Sequence, residues 1–241
     1  MKCESAPGEG RKLTAADYHM TPEKAWKHLC TITRHKMKVA EGCFQVGLYR
    51  QGLLHDLSKY SPVEFLAGAK YYQGTRSPNN AEREATGRSL AWLHHKGRNR
   101  HHYEYWIDYA TRPSPGFADK PGLVGCKMPG RYVIEMFMDR VAASKIYRAD
   151  AYVDSDPLKY YEQGSTRMFM HPDTADLLEK LLRMLAEEGE EKTFRYIREH
   201  LYYRQGKRRV FLEQRLQEDP VMRLMTDKLS GHSRHVREAD G

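Results

Sequence analysis

The stretch Gly52-Leu53-Leu54-His55-Asp56-Leu57-Ser58-Lys59 sets an adjacent histidine and aspartate between an apolar run and a lysine. Consecutive residues there offer a neutral imidazole nitrogen and a hard carboxylate oxygen, a donor pair that suits a divalent cation. Val46, Leu48, Leu53, Leu54 and Leu57 recur with helical spacing between Phe44 and Tyr60, which puts the pair on a helix. One pair cannot fill a coordination sphere, so the fold must bring it further ligands.

Working outward, Thr21-Pro22-Glu23 supplies an N-cap, a proline at the first helical position and an acid in the first turn. Ala25, Trp26, Leu29, Ile32, Val39 and Phe44 then mark one helix face with His35 among them, and Gly42 is expected to bend or break it. Downstream, Ser61-Pro62 starts a helix over 63–72, residues 74–80 read as a loop, and a further helix is expected over 81–95. Residues 113–130 hold four prolines and four glycines, the longest irregular connection and a candidate substrate cover. Helices follow over 131–149, with Asp139 in the middle, and over 175–188, with a tyrosine-rich turn at 158–161 between them. A strongly charged helix is expected over 192–216, carrying Arg195, Arg198, Arg204, Lys207, Arg208 and Arg209. No repeat and no sustained strand alternation is present, so the class is all-α. The organisation expected is a mobile leader over 1–20, a ligand-bearing helical domain over 21–150, a helical extension packed on it over 151–229, and a polar tail over 230–241.

A chain of 241 residues can bury a substantial core without staples. Its four cysteines are scattered with no CxxC pair, which fits free thiols in a reducing cytoplasm. No apolar run approaches the roughly 20 residues that span a bilayer, and residues 1–20 lack the apolar core of a secretory signal. We expect a soluble cytoplasmic protein. The 40 Lys and Arg against 32 Asp and Glu favour an anionic partner, either a phosphorylated small molecule or nucleic acid.

The remaining candidate ligands are His35, the pairs His94-His95 and His101-His102, and Asp139, each in or beside an expected helix. Antiparallel helices can bring such side chains to one point. His35, then Leu53-Leu54-His55-Asp56-Leu57-Ser58-Lys59, then a distant helical Asp139 resembles the HD-domain superfamily of metal-dependent phosphohydrolases across roughly residues 21–150. It is similar in particular to an uncharacterised bacterial and phage branch that shares a histidine cluster before Glu-Tyr-Trp, here Glu104-Tyr105-Trp106. The resemblance implies an HD-like helical bundle in which His35, His55, Asp56 and Asp139 hold a first ion. It also implies that the histidine pairs serve a second ion bridged by Asp56. One histidine of each pair is expected to point inward. We assign His94 and His102 to the metal, and His95 and His101 to supporting or substrate contacts.

The activity so implied is hydrolysis of a nucleotide or another phosphorylated small molecule, with one or two divalent ions (Mn, Fe, Co, Ni, Zn or Mg) activating water. Lys59, one turn after His55, is expected to meet a phosphate oxygen, and Arg140 to offset substrate charge together with Lys96, Arg98 and Arg100. Two alternatives stand beside it. One is a di-iron HD-type oxygenase, which the surplus histidines permit. The other is a non-enzymatic helical module binding nucleic acid, in which Trp92, Tyr103, Tyr105 and Trp106 stack on bases and the metal is structural.

Overall fold

The computed structural model describes residues 14–110 and 122–201. Among the described residues eight α-helices carry the fold: α1 (Pro22–Gln45), α2 (Tyr49–Leu54), α3 (Pro62–Lys70), α4 (Pro78–Thr86), α5 (Leu90–Lys96), α6 (Gly130–Arg148), α7 (Asp156–Gln163) and α8 (Pro172–Tyr196). One antiparallel pair, β1 (Ile107–Ala110) with β2 (Gly122–Gly125), is the sheet among the described residues, in the register Ile107 to Gly125. The all-α class stands. None of the described helices is long and apolar enough to cross a membrane.

The longest helix begins as its sequence dictates: Thr21 Oγ1 accepts from Lys24 N at 3.2 Å and Pro22 opens the first turn. Gly42 does not break it. An added Cβ there would lie 2.8 Å from Met138 Sδ, so the missing side chain lets α6 approach, which offsets the roughly 1 kcal/mol glycine costs in a helix. The helix expected across 44–60 is instead cut twice, because Gly47 (φ 87°) and Asp56 (φ 54°) both adopt the left-handed conformation. What remains is α2 and a 3-10 turn, Leu57–Tyr60. The helix expected over 81–95 is two. Gly87 (φ 78°) ends α4 with its N–H on Arg83 O, and Ser89 Oγ caps α5 by accepting from Trp92 N.

Other expectations shift similarly. Tyr160 and Tyr161 lie within α7 rather than in a turn, and α8 runs beyond 188 through a kink at Gly189 (φ 82°). Residues 122–125 of the expected irregular connection form β2, whose strands are too short to show alternation; 111–121, the heart of the expected cover, lie outside the described residues. Within the expected leader, Ala15–Asp17 form a 3-10 turn and Tyr18 is buried against Tyr71 and Ala81, with the two tyrosine rings 4.9 Å apart. Residues 1–13, and 202–241 with Arg204 to Arg209 and the polar tail, lie outside the described residues.

The chain divides into two compact units after Phe194, so α7 and α8 up to that residue fall in the same unit as α1 to α6. The core of that unit joins Ile32, Val39 and Cys43 of α1, Phe137 and Met138 of α6, and Leu178, Leu181, Leu182 and Leu185 of α8. The described part of the second unit is the end of α8 and one π-helical turn, Ile197–Leu201.

Ala149 closes α6 at φ 47°, ψ −122°, a region L-residues seldom enter. Ala149→Gly is therefore expected to stabilise the protein by about 1 kcal/mol net of the entropy that glycine adds to the unfolded chain. A urea midpoint that falls rather than rises would contradict this.

His28 packs one face of α1 between Phe65 and Tyr72, and Nε2 lies where a Cβ on Gly68 would sit only 2.2 Å away. Burial, aided by the Lys59 charge, pushes its pKa down from 6.5 to about 4. The unfolded chain thus binds the proton that the folded one refuses. The stabilisation is complete above pH 6.5 and is lost as pH falls through 4. Between pH 7 and 4 the wild type should lose about 3 kcal/mol more stability than His28→Leu, because a tenfold difference in proton affinity is worth about 1.4 kcal/mol. Denaturant unfolding at the two pH values measures the difference.

A buried histidine and carboxylate centre

Asp56 lies at the middle of the candidate site, 2% exposed and held in the left-handed conformation. On a helix, consecutive side chains diverge by about 100°; the break after α2 lets His55 and Asp56 both face inward. Lys36 secures the break by donating to Leu53 O at 2.5 Å and His55 O at 3.2 Å, satisfying carbonyls that the helix end leaves free.

Two donor groups share Asp56. In the first, His35 of α1, His55, Asp56 and Asp139 of α6 bring their ligand atoms within 4.8 Å of one another. His35 Nε2 is 2.8 Å from Asp139 Oδ1 and His55 Nε2 is 3.3 Å from Asp56 Oδ2. In the second, Asp56 meets His95, His101 and His102. His95 Nε2 and His101 Nε2 are 3.2 and 3.4 Å from Asp56 Oδ1, and His95 Nε2 is 2.9 Å from His102 Nε2.

Two buried glutamates, absent from the sequence-based set, stand behind the imidazoles. Glu64 of α3 takes His94 Nδ1 at 2.6 Å and His95 Nδ1 at 2.7 Å. Glu135 of α6 takes His55 Nδ1 at 3.1 Å and pairs with His101 Nδ1 at 3.2 Å. A carboxylate at Nδ1 fixes a proton there and leaves Nε2 bare to bind metal. Ser58 and Asn99 add contacts around His95, with Asn99 Nδ2 donating to Ser58 Oγ and to His95 O, both at 2.8 Å. Glu135 carried a sequence signal: it stands four residues before Asp139, on the same helix face, inside the apolar run 133–138. Glu64, an acid in the first turn of α3, carries no comparable signal, because acids are common there.

Of the expected ligands, His35, His55, Asp56, His102 and Asp139 converge, and His94 does not. It is spent on Glu64, and His95 takes the inward place. Both His101 and His102 reach the centre because Gly97 and Asn99 end α5, and in the turn that follows, neighbouring side chains need not point apart. Arg140 is also displaced: one residue round the helix from Asp139, its guanidinium lies over the Tyr161 ring, 5.6 Å from the centroid. Arg98 donates to His94 O, and Arg100 lies over Tyr105. Trp92 packs against His95 and His102, while Tyr105 and Trp106 pack on each other. Lys59 stays at the centre, its Nζ 2.5 Å from Asp56 Oδ2.

The electrostatics suit a cation. Burial opposes ionisation of Asp56, yet His55, Lys59 and His95 hold its carboxyl well below the usual range. Burial likewise opposes ionisation of Asp139, which His35 and His55 lower strongly. Burial and the neighbouring His101 and His95 push His102 well down, keeping that imidazole neutral and its lone pair available. The clearest mark is an unmet demand. His55 Nε2, His101 Nε2 and both Asp56 oxygens are buried without a hydrogen bond, the Lys59 contact being an ion pair outside hydrogen-bond geometry. Each such atom costs about 1–3 kcal/mol if left so, and all four belong to the two donor groups. A divalent cation would answer them, and the donor set fits one.

Residues 24–184, which include every side chain of this centre, match the model of a protein family described as "Family of unknown function (DUF5662)". No curated protein and no solved structure matches the chain.

Proposed function

The chain belongs to the DUF5662 family, and from its centre we propose an HD-type metal-dependent phosphohydrolase acting in the cytoplasm on a nucleotide or another phosphorylated small molecule. The observation that carries this reading is the set of four buried donor atoms on His55, Asp56 and His101 that make no hydrogen bond. His35, His55, Asp56 and Asp139 would hold one ion, and Asp56 with His95, His101 and His102 a second, Asp56 offering one oxygen to each side. The imidazole-rich sphere favours Mn, Fe, Co, Ni or Zn over Mg, which prefers oxygen.

When bound, a divalent ion polarises a phosphoryl oxygen and lowers the pKa of its water from 15.7 towards about 7. The chain's own residues do the rest. Lys59 sets its ammonium 2.5 Å from Asp56 Oδ2 at the centre, while its side chain as a whole is 27% exposed. Burial opposes its charge, but Asp56 and Asp139 raise its pKa and keep it protonated. There it meets a phosphate oxygen of the substrate and offsets charge that builds during displacement.

Protein purified without chelator should contain close to two divalent ions per chain. It should release phosphate from a panel of phosphate esters, lose that activity with a chelator and regain it with added Mn²⁺. If the folded, unmutated protein takes up no divalent metal, the reading fails. The three imidazoles facing one carboxylate in the second group also suit iron, which supports a second reading, a di-iron oxygenase. Bound iron with substrate-dependent oxygen consumption and no phosphate release would select it.

A further inference from the structure

An imidazole presents Nε2 to a metal reliably only when something holds the proton on Nδ1. Glu64 does this for the second donor group alone, since of its two partners, His94 and His95, only His95 faces the centre. Glu135 does something different. The same oxygen, Oε1, lies 3.1 Å from His55 Nδ1 and 3.2 Å from His101 Nδ1. His55 belongs to the first donor group and His101 to the second. Their ring centroids are 4.4 Å apart, and each Nε2, on the side away from the glutamate, is buried without a hydrogen bond. Glu135 is itself 5% exposed, on the rigid helix that also carries Asp139 one turn later.

We infer that Glu135 is a positioning residue that couples the two ion positions, one oxygen orienting a ligand of each. This coupling rests on the metal-centre reading above. Its physical content is geometric. The Glu135 carboxylate is buried against both rings before any ion binds, so one fixed acceptor sets the orientation of a ligand in each donor group. A change at that acceptor therefore reaches both ion positions at once. Asp56 links the ions directly; Glu135 links the rings that face them from behind.

Two measurements test this. In metal-free, ¹⁵N-labelled protein, imidazole nitrogen–proton correlation spectra should show His55 and His101 both protonated at Nδ1. Calorimetric titration with Zn²⁺ should then give two coupled binding steps in the wild type. Glu135→Ala should weaken both steps, each by about 10–100-fold. Glu135→Gln, which keeps the accepting oxygen without its charge, should weaken both by less, and it serves in place of the alanine variant should that fail to fold. Glu64→Ala should weaken one step only. The coupling is overturned if Glu135 variants weaken a single step or none, or if the wild type binds one ion. It is equally overturned if either ring leaves its Nδ1, the nitrogen facing Glu135, without a proton, or if Glu135→Ala removes an additional ion for which the glutamate was a direct ligand. A wild type that binds no Zn²⁺ sinks the metal-centre reading itself, whereas two ions bound unchanged in Glu135→Ala sink only the coupling.

Discussion

Asp56→Asn is expected to empty both ion positions and to lower phosphate-ester turnover by about 10³-fold, equivalent to roughly 4 kcal/mol of barrier. Asparagine keeps the shape and tolerates the left-handed backbone at φ 54°, so the change tests the carboxylate rather than the turn. Asp56 is the one residue common to the two donor groups, and each oxygen faces a different set of imidazoles. Removing its charge also leaves Lys59 without its closest anion and takes from His55 and His95 the main support for their protonated forms. Elemental analysis reads the ion content and circular dichroism confirms the fold. A folded Asp56→Asn protein that keeps two ions would remove the bridging role.

Gly125→Ala should lower stability by about 3 kcal/mol or more, the upper end of what overpacking costs. An added Cβ at Gly125 would lie 2.7 Å from His171 N, 2.7 Å from Phe169 O and 2.8 Å from Met170 C. All three are backbone atoms, so no rotamer change relieves the contact; β2 must move. β2 pairs with β1, and Cys126 N donates to Trp106 O at 2.7 Å, which ties the pair to the turn that follows His101 and His102. The damage should therefore reach the second donor group before the first. Urea unfolding measures the loss, and Zn²⁺ binding should show the His95, His101 and His102 position weakened ahead of the position at His35. An alanine variant with unchanged stability would mean that β2 does not rest on residues 169–171.

Several elements follow from local chemistry. Thr21-Pro22-Glu23 starts α1, Pro62 starts α3, and the apolar run around Asp139 makes α6. Breaks were harder to place, because Gly42 and Gly47 look alike in sequence. One is a contact surface for Met138 inside an unbroken helix, and the other is a left-handed turn. Asp56 in the left-handed conformation carried no sequence signal of its own, although it is what allows adjacent histidine and aspartate to face the same point.

By itself the sequence determined a helical protein, since helical period and capping are local properties, while the grouping of His35, His55, Asp56 and Asp139 came from the resemblance of that pattern to the HD superfamily. Only the tertiary structure decided which of the remaining histidines face inward. Glu64 holds His95 from 31 residues away and Glu135 holds His55 from 80 residues away. Periodicity defines a side chain's direction relative to its own helix axis, and carries no record of which carboxylate another helix will place behind it. His94 was turned from the centre, and His95 and His101 into it, by partners that exist only once α3, α5 and α6 have packed.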